Sequence, residues 1–208
     1  MRQPAQRSDG KKLPLVEDFF SIQGEGFHSG NAAYFIRLGG CDIGCSWCDT
    51  PYTWDHEMHP LTNTDDIVNR IVNSGIDSVV ITGGEPLMWN LDYLCSKLKK
   101  YNISTYLETS GAYPLTGMWN WICLSPKRNM KPDIEICKLA DELKIVIQDA
   151  IDFTWAEKFH SQVSETCRLF LQPEWSSFDK IMPEIIDYVK NNSIWRISLQ
   201  IHKYMHIP

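Results

Sequence analysis

Three cysteines within eight residues place the first constraint on this chain. Cys41, Cys45 and Cys48 are spaced C-x3-C-x2-C and follow at once on the apolar run Tyr34-Phe35-Ile36-Arg37-Leu38, which reads as a β-strand. Thiols so close together can reach one inorganic centre from a loop, so the strand has to end where the cysteines begin. Three readings compete. Iron–sulfur clusters are normally held by four cysteine thiolates, and a loop offering only three leaves one iron with an open position. A structural zinc site wants four closed ligands, with Cys45 and Cys48 as half of it and Cys41 plus one of His28, His56 or His59 as the rest. A disulfide framework is the third reading, and the expected compartment argues against it. Residues 1–10 are polar and lack the apolar core of a secretory signal. No apolar stretch approaches the roughly 20 residues of a membrane span. A cytoplasmic protein with no membrane association is expected, in which clustered cysteines serve metal binding or catalysis. The remaining cysteines, Cys95, Cys123, Cys137 and Cys167, sit in apolar sequence and read as small buried hydrophobes.

Around that loop, short apolar runs alternate with helical repeats. Strands are expected at 15–22, 33–38, 77–81, 103–107, 119–124, 142–147, 168–171 and 195–199. Asn63 and Thr64 offer N-caps to a helix whose Ile67, Val68, Ile71 and Val72 repeat at i, i+4, with Gly75 as its stop. Further helices are expected around Leu91–Leu98, Phe153–His160 and Phe178–Val189, and residues 51–61 read as a loop. Residues 1–208 are expected to form one domain, with 1–14 as a flexible leader. Alternating strands and helices predict parallel βα units. Most unusual motifs fall just after a strand, where α/β barrels build their sites. The expected fold class is therefore α/β, an incomplete TIM-like β/α barrel with mostly parallel strands. A formal net charge of −6 argues against a nucleic-acid surface.

Seven motifs, taken in order, resemble one family. They are Ser21-Ile-Gln-Gly-Glu-Gly26, Phe35-Ile-Arg-Leu38, Cys48-Asp-Thr50, Thr82-Gly-Gly-Glu-Pro86, Glu108-Thr-Ser-Gly111, Ser125-Pro-Lys127 and the Gln200-Ile-His-Lys-Tyr204 to Pro208 end. With the cysteine spacing, they are similar to the 7-carboxy-7-deazaguanine synthase family of the radical S-adenosylmethionine superfamily, from about Val16 onward. The resemblance also implies an incomplete barrel. It implies a [4Fe–4S] cluster on Cys41, Cys45 and Cys48, whose open iron chelates S-adenosylmethionine. Gly84, Ser125, Pro126, Lys127, Gln172, Pro173, Glu174 and Trp175 are then the cofactor-binding residues. Ile22, Gln23, Gly24, Arg37, Thr82 and Pro208 are implied to contact the substrate, 6-carboxy-5,6,7,8-tetrahydropterin. Thr50 is implied to hold Mg2+ together with that substrate. The radical derives from the cofactor, so no protein side chain is assigned a catalytic role. An electron donor such as a flavodoxin and a homodimer complete the implied partners, with no direct nucleic-acid contact.

Each assignment has a plainer counterpart. The Gly-Gly-Glu-Pro stretch reads equally as a turn, Arg37 as a strand-end ion pair, and Asp49 or Thr50 as a helix cap. Two other functions share features with this chain. A glycyl-radical-enzyme activase has the same cysteine motif, and a non-catalytic zinc module needs only the thiols.

Overall fold

The computed structural model describes residues 8–208. The chain opens with an antiparallel pair, β1 (Lys12–Ile22) and β2 (Ala32–Leu38). The first strand begins earlier than the sequence predicts, and this corrects the expected leader. Lys12, Leu13 and Pro14 pair with Asn63, Thr62 and Leu61 of a short strand, β3 (Leu61–Asn63), and Leu13 is fully buried. That partner comes from the stretch expected to begin as loop; three residues are too few to show a period. Residues 1–7 of the expected leader lie outside the described residues.

From there the chain alternates as expected. The first helix, α1 (Thr64–Ser74), is capped by the Asn63 side chain, which accepts from the Asp65 amide at 3.0 Å. It stops at Gly75, whose φ of 73° is the left-handed conformation that glycine tolerates. Then follow β4 (Ser78–Gly83), α2 (Asp92–Lys100), β5 (Ser104–Thr109), β6 (Trp121–Leu124) and α3 (Ile134–Leu139). The last part holds β7 (Glu142–Ile147), α4 (Ile151–His160), β8 (Arg168–Pro173), α5 (Phe178–Asn191), β9 (Trp195–Ile197) and α6 (Ile201–Met205). Helices α3 and α6, six and five residues long, are too short to carry a legible 3.6-residue stripe.

One open sheet results, in the order β3-β1-β2-β4-β5-β6-β7-β8-β9. All neighbours from β2 to β9 are parallel. Strand alternation divides its residues between two faces. Tyr34, Ile36, Leu38, Val79, Ile81 and Leu107 join the main core. Ala33, Phe35 and Val80, with Phe19 and Tyr106, form a small second cluster on the other face. Because central strands are covered on both faces, Val79-Val80-Ile81 reads as an unbroken apolar run rather than an alternating one. Side chains from β1, β2, β4, β5, β7 and β8 line one cavity of about 790 Å³, so the sheet curves around it as a partial barrel.

Candidate active site

The cysteine loop forms the mouth of this cavity at the tip of β2. Its backbone is fastened on two sides. The amides of Gly40 and Cys41 donate to the carbonyls of Thr53 and Trp54 at 2.7 and 3.0 Å. Asn129 Nδ2 lies 3.1 and 2.8 Å from the carbonyl oxygens of Ile43 and Gly44. Cys41, Cys45 and Cys48 are free, half-buried and face the cavity. Burial pushes the Cys41 thiol up to about 11 and raises Cys45 in the same direction. Binding a soft metal centre therefore has to displace protons from these thiols.

Among the described residues, no other cysteine lines the cavity. Cys95, Cys137 and Cys167 are buried in the main core, as expected. Cys123 is buried too, but in charged surroundings: Glu108, Glu142 and Lys144 all act on its thiol. The zinc reading loses its candidate fourth ligands. His28 stacks on Tyr106 with ring centroids 4.5 Å apart, His59 Nε2 lies 2.9 Å from the Tyr52 carbonyl, and His56 packs against Trp89. None of the three lines the cavity. Among the described residues, no three His, Cys, Asp or Glu side chains converge on a single-ion site. Three soft thiols with no carboxylate ligand fit an iron–sulfur cluster with one open iron.

Beside the thiols, the Thr82–Pro86 turn does more than admit a ligand. A Cβ on Gly83 would stand 2.1 Å from the Leu38 carbonyl oxygen, and its φ is +139°. A Cβ on Gly84 would stand 2.3 Å from the Gly40 carbonyl oxygen and 2.8 Å from Cys41 Cβ. These glycines let the β4 tip press against the root of the cysteine loop, with Gly84 and Glu85 amides donating to Leu38 and Gly40 at 2.9 and 2.8 Å. Glu85, itself buried, ties this turn to the β5 tip. Its carboxylate accepts from Thr109 Oγ1 at 2.6 Å, from the Ser110 amide at 2.8 Å and from the Ser110 hydroxyl.

The remaining residues singled out for the cofactor lie along the wall formed by β6 and β8. Ser125, Lys127, Gln172, Pro173, Glu174 and Trp175 all line the cavity; Pro126 does not. Lys127 Nζ donates to Ser125 Oγ at 2.6 Å and lies 5.2 Å from the Trp47 ring centre, inside the cysteine loop. Burial lowers its pKa. Gln172 accepts from Ser198 Oγ at 2.7 Å. The Glu174 carboxylate is engaged locally, accepting from the Ser176 and Ser177 amides at 2.8 and 3.0 Å. Half-exposed Trp175 packs edge-on to Tyr204 of α6, with Lys203 Nζ 4.6 Å from its ring centre.

The residues singled out for the substrate border the same cavity from the β1 side. Ile22, Gln23, Gly24, Arg37, Thr82 and Pro208 all line it. Arg37 Nε pairs with Glu17 at 2.7 Å, as the ion-pair reading expects, and the side chain also borders the cavity. A Cβ on Gly24 would stand 2.1 Å from His202 Nδ1, and the Gly24 carbonyl accepts from the Ile201 amide at 2.9 Å. Gly24 thus seats α6. Ser21 Oγ donates to the Pro208 backbone oxygen at 3.1 Å. Asp49 faces α6, with Gln200 Nε2 and Lys203 Nζ at 3.3 and 3.4 Å. Thr50 precedes a 3-10 turn, Pro51–Thr53, without capping it, so the cap reading of Thr50 is not met.

At the opposite end, the β1–β2 loop folds into the barrel as a floor. Phe27 stacks on Trp121 at 4.8 Å, and the Phe27 amide donates to Glu142 Oε2 at 3.1 Å. Above it, Lys144 Nζ bridges Glu25 and Glu108 at 2.6 and 2.9 Å, with its side chain only 4% exposed. Burial would raise the Glu25 carboxyl, but the Lys144 charge and hydrogen bonds from Lys144 and Gln200 hold it down at about 2. Burial instead dominates at Glu142 and lifts it to about 7. None of these four was singled out as a site residue. Glu25 and Glu108 stood inside two of the quoted motifs, and the signal for Lys144 was a lone lysine within the apolar strand Leu143-Lys144-Ile145-Val146.

An α/β partial barrel whose strand tips gather three cavity-facing thiols defines a radical S-adenosylmethionine enzyme. Residues 35–120 match the model of the Radical SAM superfamily. Membership implies a 4Fe–4S cluster and S-adenosylmethionine. Over nearly the whole length, the chain is 51% identical to 7-carboxy-7-deazaguanine synthase of Flavobacterium psychrophilum, covering 96% of this chain and 94% of that protein. It is 46% identical to the Synechocystis protein of the same name, covering 93% of each. The crystal structure of QueE from Escherichia coli superposes with a TM-score of 0.80 at 29% identity, covering 90% of this chain and 93% of that one. The chain belongs to the 7-carboxy-7-deazaguanine synthase family.

Proposed function

We propose that this chain converts 6-carboxy-5,6,7,8-tetrahydropterin to 7-carboxy-7-deazaguanine and ammonia, a carbon–nitrogen lyase step toward queuosine-type tRNA bases. The observation that carries the reading is that three free thiols share one cavity with Arg37, Thr82 and the Glu25–Lys144–Glu108 network. Cys41, Cys45 and Cys48 would hold the cluster. Gly84 with Ser125, Lys127, Gln172, Pro173, Glu174 and Trp175 would hold S-adenosylmethionine, Pro126 serving to shape that turn. Bound there, the two supply a 5′-deoxyadenosyl radical able to take hydrogen from substrate C6.

The chain itself binds, orients and excludes water. Arg37 contacts Glu17 through Nε, which leaves its outer nitrogens for bidentate contact with the substrate carboxylate. The Thr50 hydroxyl would be the one protein oxygen offered to Mg2+, a hard cation that would help neutralise the substrate carboxylate. Ile22, Gln23, Gly24, Thr82 and Pro208 border the pterin ring. Among the described residues, no helix is long and apolar enough to cross a membrane. The reading places the enzyme in the cytoplasm. An electron donor such as a flavodoxin, a homodimer and no direct nucleic-acid contact complete the reading. Substrate deuterated at C6 tests it: deuterium is expected in recovered S-adenosylmethionine, and its absence there during turnover contradicts a reusable cofactor.

A further inference from the structure

Among the described residues, four lysine and arginine side chains line the cavity: Arg37, Lys127, Lys144 and Lys203. Three of them are ion-paired. Arg37 meets Glu17 at 2.7 Å, Lys144 meets Glu25 and Glu108, and Lys203 meets Asp49 at 3.4 Å. Lys127 alone among the four has no carboxylate of the described residues within ion-pair distance. Its ammonium donates to Ser125 Oγ at 2.6 Å and lies 5.2 Å from the Trp47 ring centre, and both partners are neutral. A cation drawn away from bulk water with no anion beside it is costly, so such a position is suited to an anion that arrives with a bound group.

The place of Lys127 indicates which anion. Trp47 stands between Cys45 and Cys48, so the ammonium faces the cysteine loop from the β6 side. The charges of Lys127 and Cys45 act on each other. Lys144 and Glu25 also act on Lys127, with opposite signs. On the other flank of the loop, the charged neighbour of Cys41 is Glu85, an anion. A 4Fe–4S cluster on three thiolates carries one net negative charge when oxidised and two after accepting an electron. A fixed cation beside it is worth more to the doubly charged state, and the potentials of such clusters follow their charge and surroundings.

We infer that Lys127 is the counter-ion of the cluster, and that its fixed charge raises the potential at which the cluster accepts an electron. The inference rests on the superfamily chemistry and goes beyond the proposed function, since it holds for any substrate. The test is a redox titration of reconstituted protein without S-adenosylmethionine or substrate, with the reduced cluster followed by electron paramagnetic resonance. Lys127→Met removes the charge and keeps much of the length, whereas Lys127→Arg keeps the charge. At the wild-type midpoint, Lys127→Met should show a reduced-to-oxidised ratio about tenfold lower, equivalent to a midpoint about 59 mV more negative. Lys127→Arg should stay within about twofold of the wild type, because its guanidinium is always charged. A Lys127→Met midpoint equal to that of the wild type overturns the inference; weaker S-adenosylmethionine binding by that variant would then leave Lys127 as a ligand of the cofactor alone. Equal losses in Lys127→Met and Lys127→Arg also overturn it, since shape and not charge would then set the potential. If Lys127→Met does not take up a full cluster, Lys127→Gln, which can still donate to Ser125 Oγ, takes its place with the same loss expected. The midpoint is read before any pterin is added, so its outcome stands apart from that of the proposed function.

Discussion

The two ends of the cavity are built on opposite principles. At the mouth, backbone does most of the holding. Amides of Gly40, Cys41, Gly84 and Glu85 reach neighbouring carbonyls, and the three thiols stay half-buried and free of disulfides, with Cys48 Sγ only 3.8 Å from Thr50 Oγ1. At the floor, side chains hold one another: Lys144 bridges two carboxylates, Glu142 anchors the Phe27 amide, and aromatic rings fill the rest. A backbone-fastened loop can keep its shape while its side chains wait for a metal centre. A charge-filled floor cannot lose a member without leaving another buried and unpaired. Mutations at the mouth should therefore remove function with little change in stability, and mutations at the floor should remove stability first.

The largest expected effect is at the floor. Lys144→Met leaves Glu25 and Glu108 without their counter-ion and should destabilise the fold by about 3–5 kcal/mol, as is usual for a buried pair that loses one partner. Urea unfolding measures it. A loss below about 1 kcal/mol would mean that the network is more hydrated than its burial implies. A smaller effect is expected at the mouth. Asn129→Ala removes the two contacts to Ile43 and Gly44 and should cost no more than about 1 kcal/mol. Its cluster, however, should be lost to a chelator faster than that of the wild type. Unchanged iron retention would show that the backbone hydrogen bonds at Gly40 and Cys41 suffice to hold the loop.

The same contrast governs what the sequence reveals. Mouth residues are legible because a loop that gathers ligands has to repeat a residue type at short spacing, as Cys41, Cys45 and Cys48 do. The strand-tip glycines are legible too, although their reason was only half visible: Gly83 and Gly84 admit the backbone of Leu38 and Gly40. The floor is assembled from charges on three separate elements, Glu25 in the β1–β2 loop, Glu108 on β5, and Glu142 and Lys144 on β7, with no one motif joining them. Only sheet order brings them together, and one-dimensional spacing carries no record of that. The fold shows the same split. Helix α1 is readable from its stripe and caps, whereas β3, α3 and α6 are too short to show a period. Arg37 is the intermediate case, since its strand position was plain and its Glu17 partner, twenty residues away, was not.

The central claim is that the three thiols and the cavity they face form one catalytic unit. Its most direct test is an anaerobic assay of reconstituted protein with S-adenosylmethionine, reductant, Mg2+ and 6-carboxytetrahydropterin. Wild-type protein should release 7-carboxy-7-deazaguanine and ammonia in equal amounts, and Cys45→Ala should release neither while keeping the wild-type fold by circular dichroism. Product formation by Cys45→Ala, or no product from wild-type protein carrying a full cluster, would contradict the account.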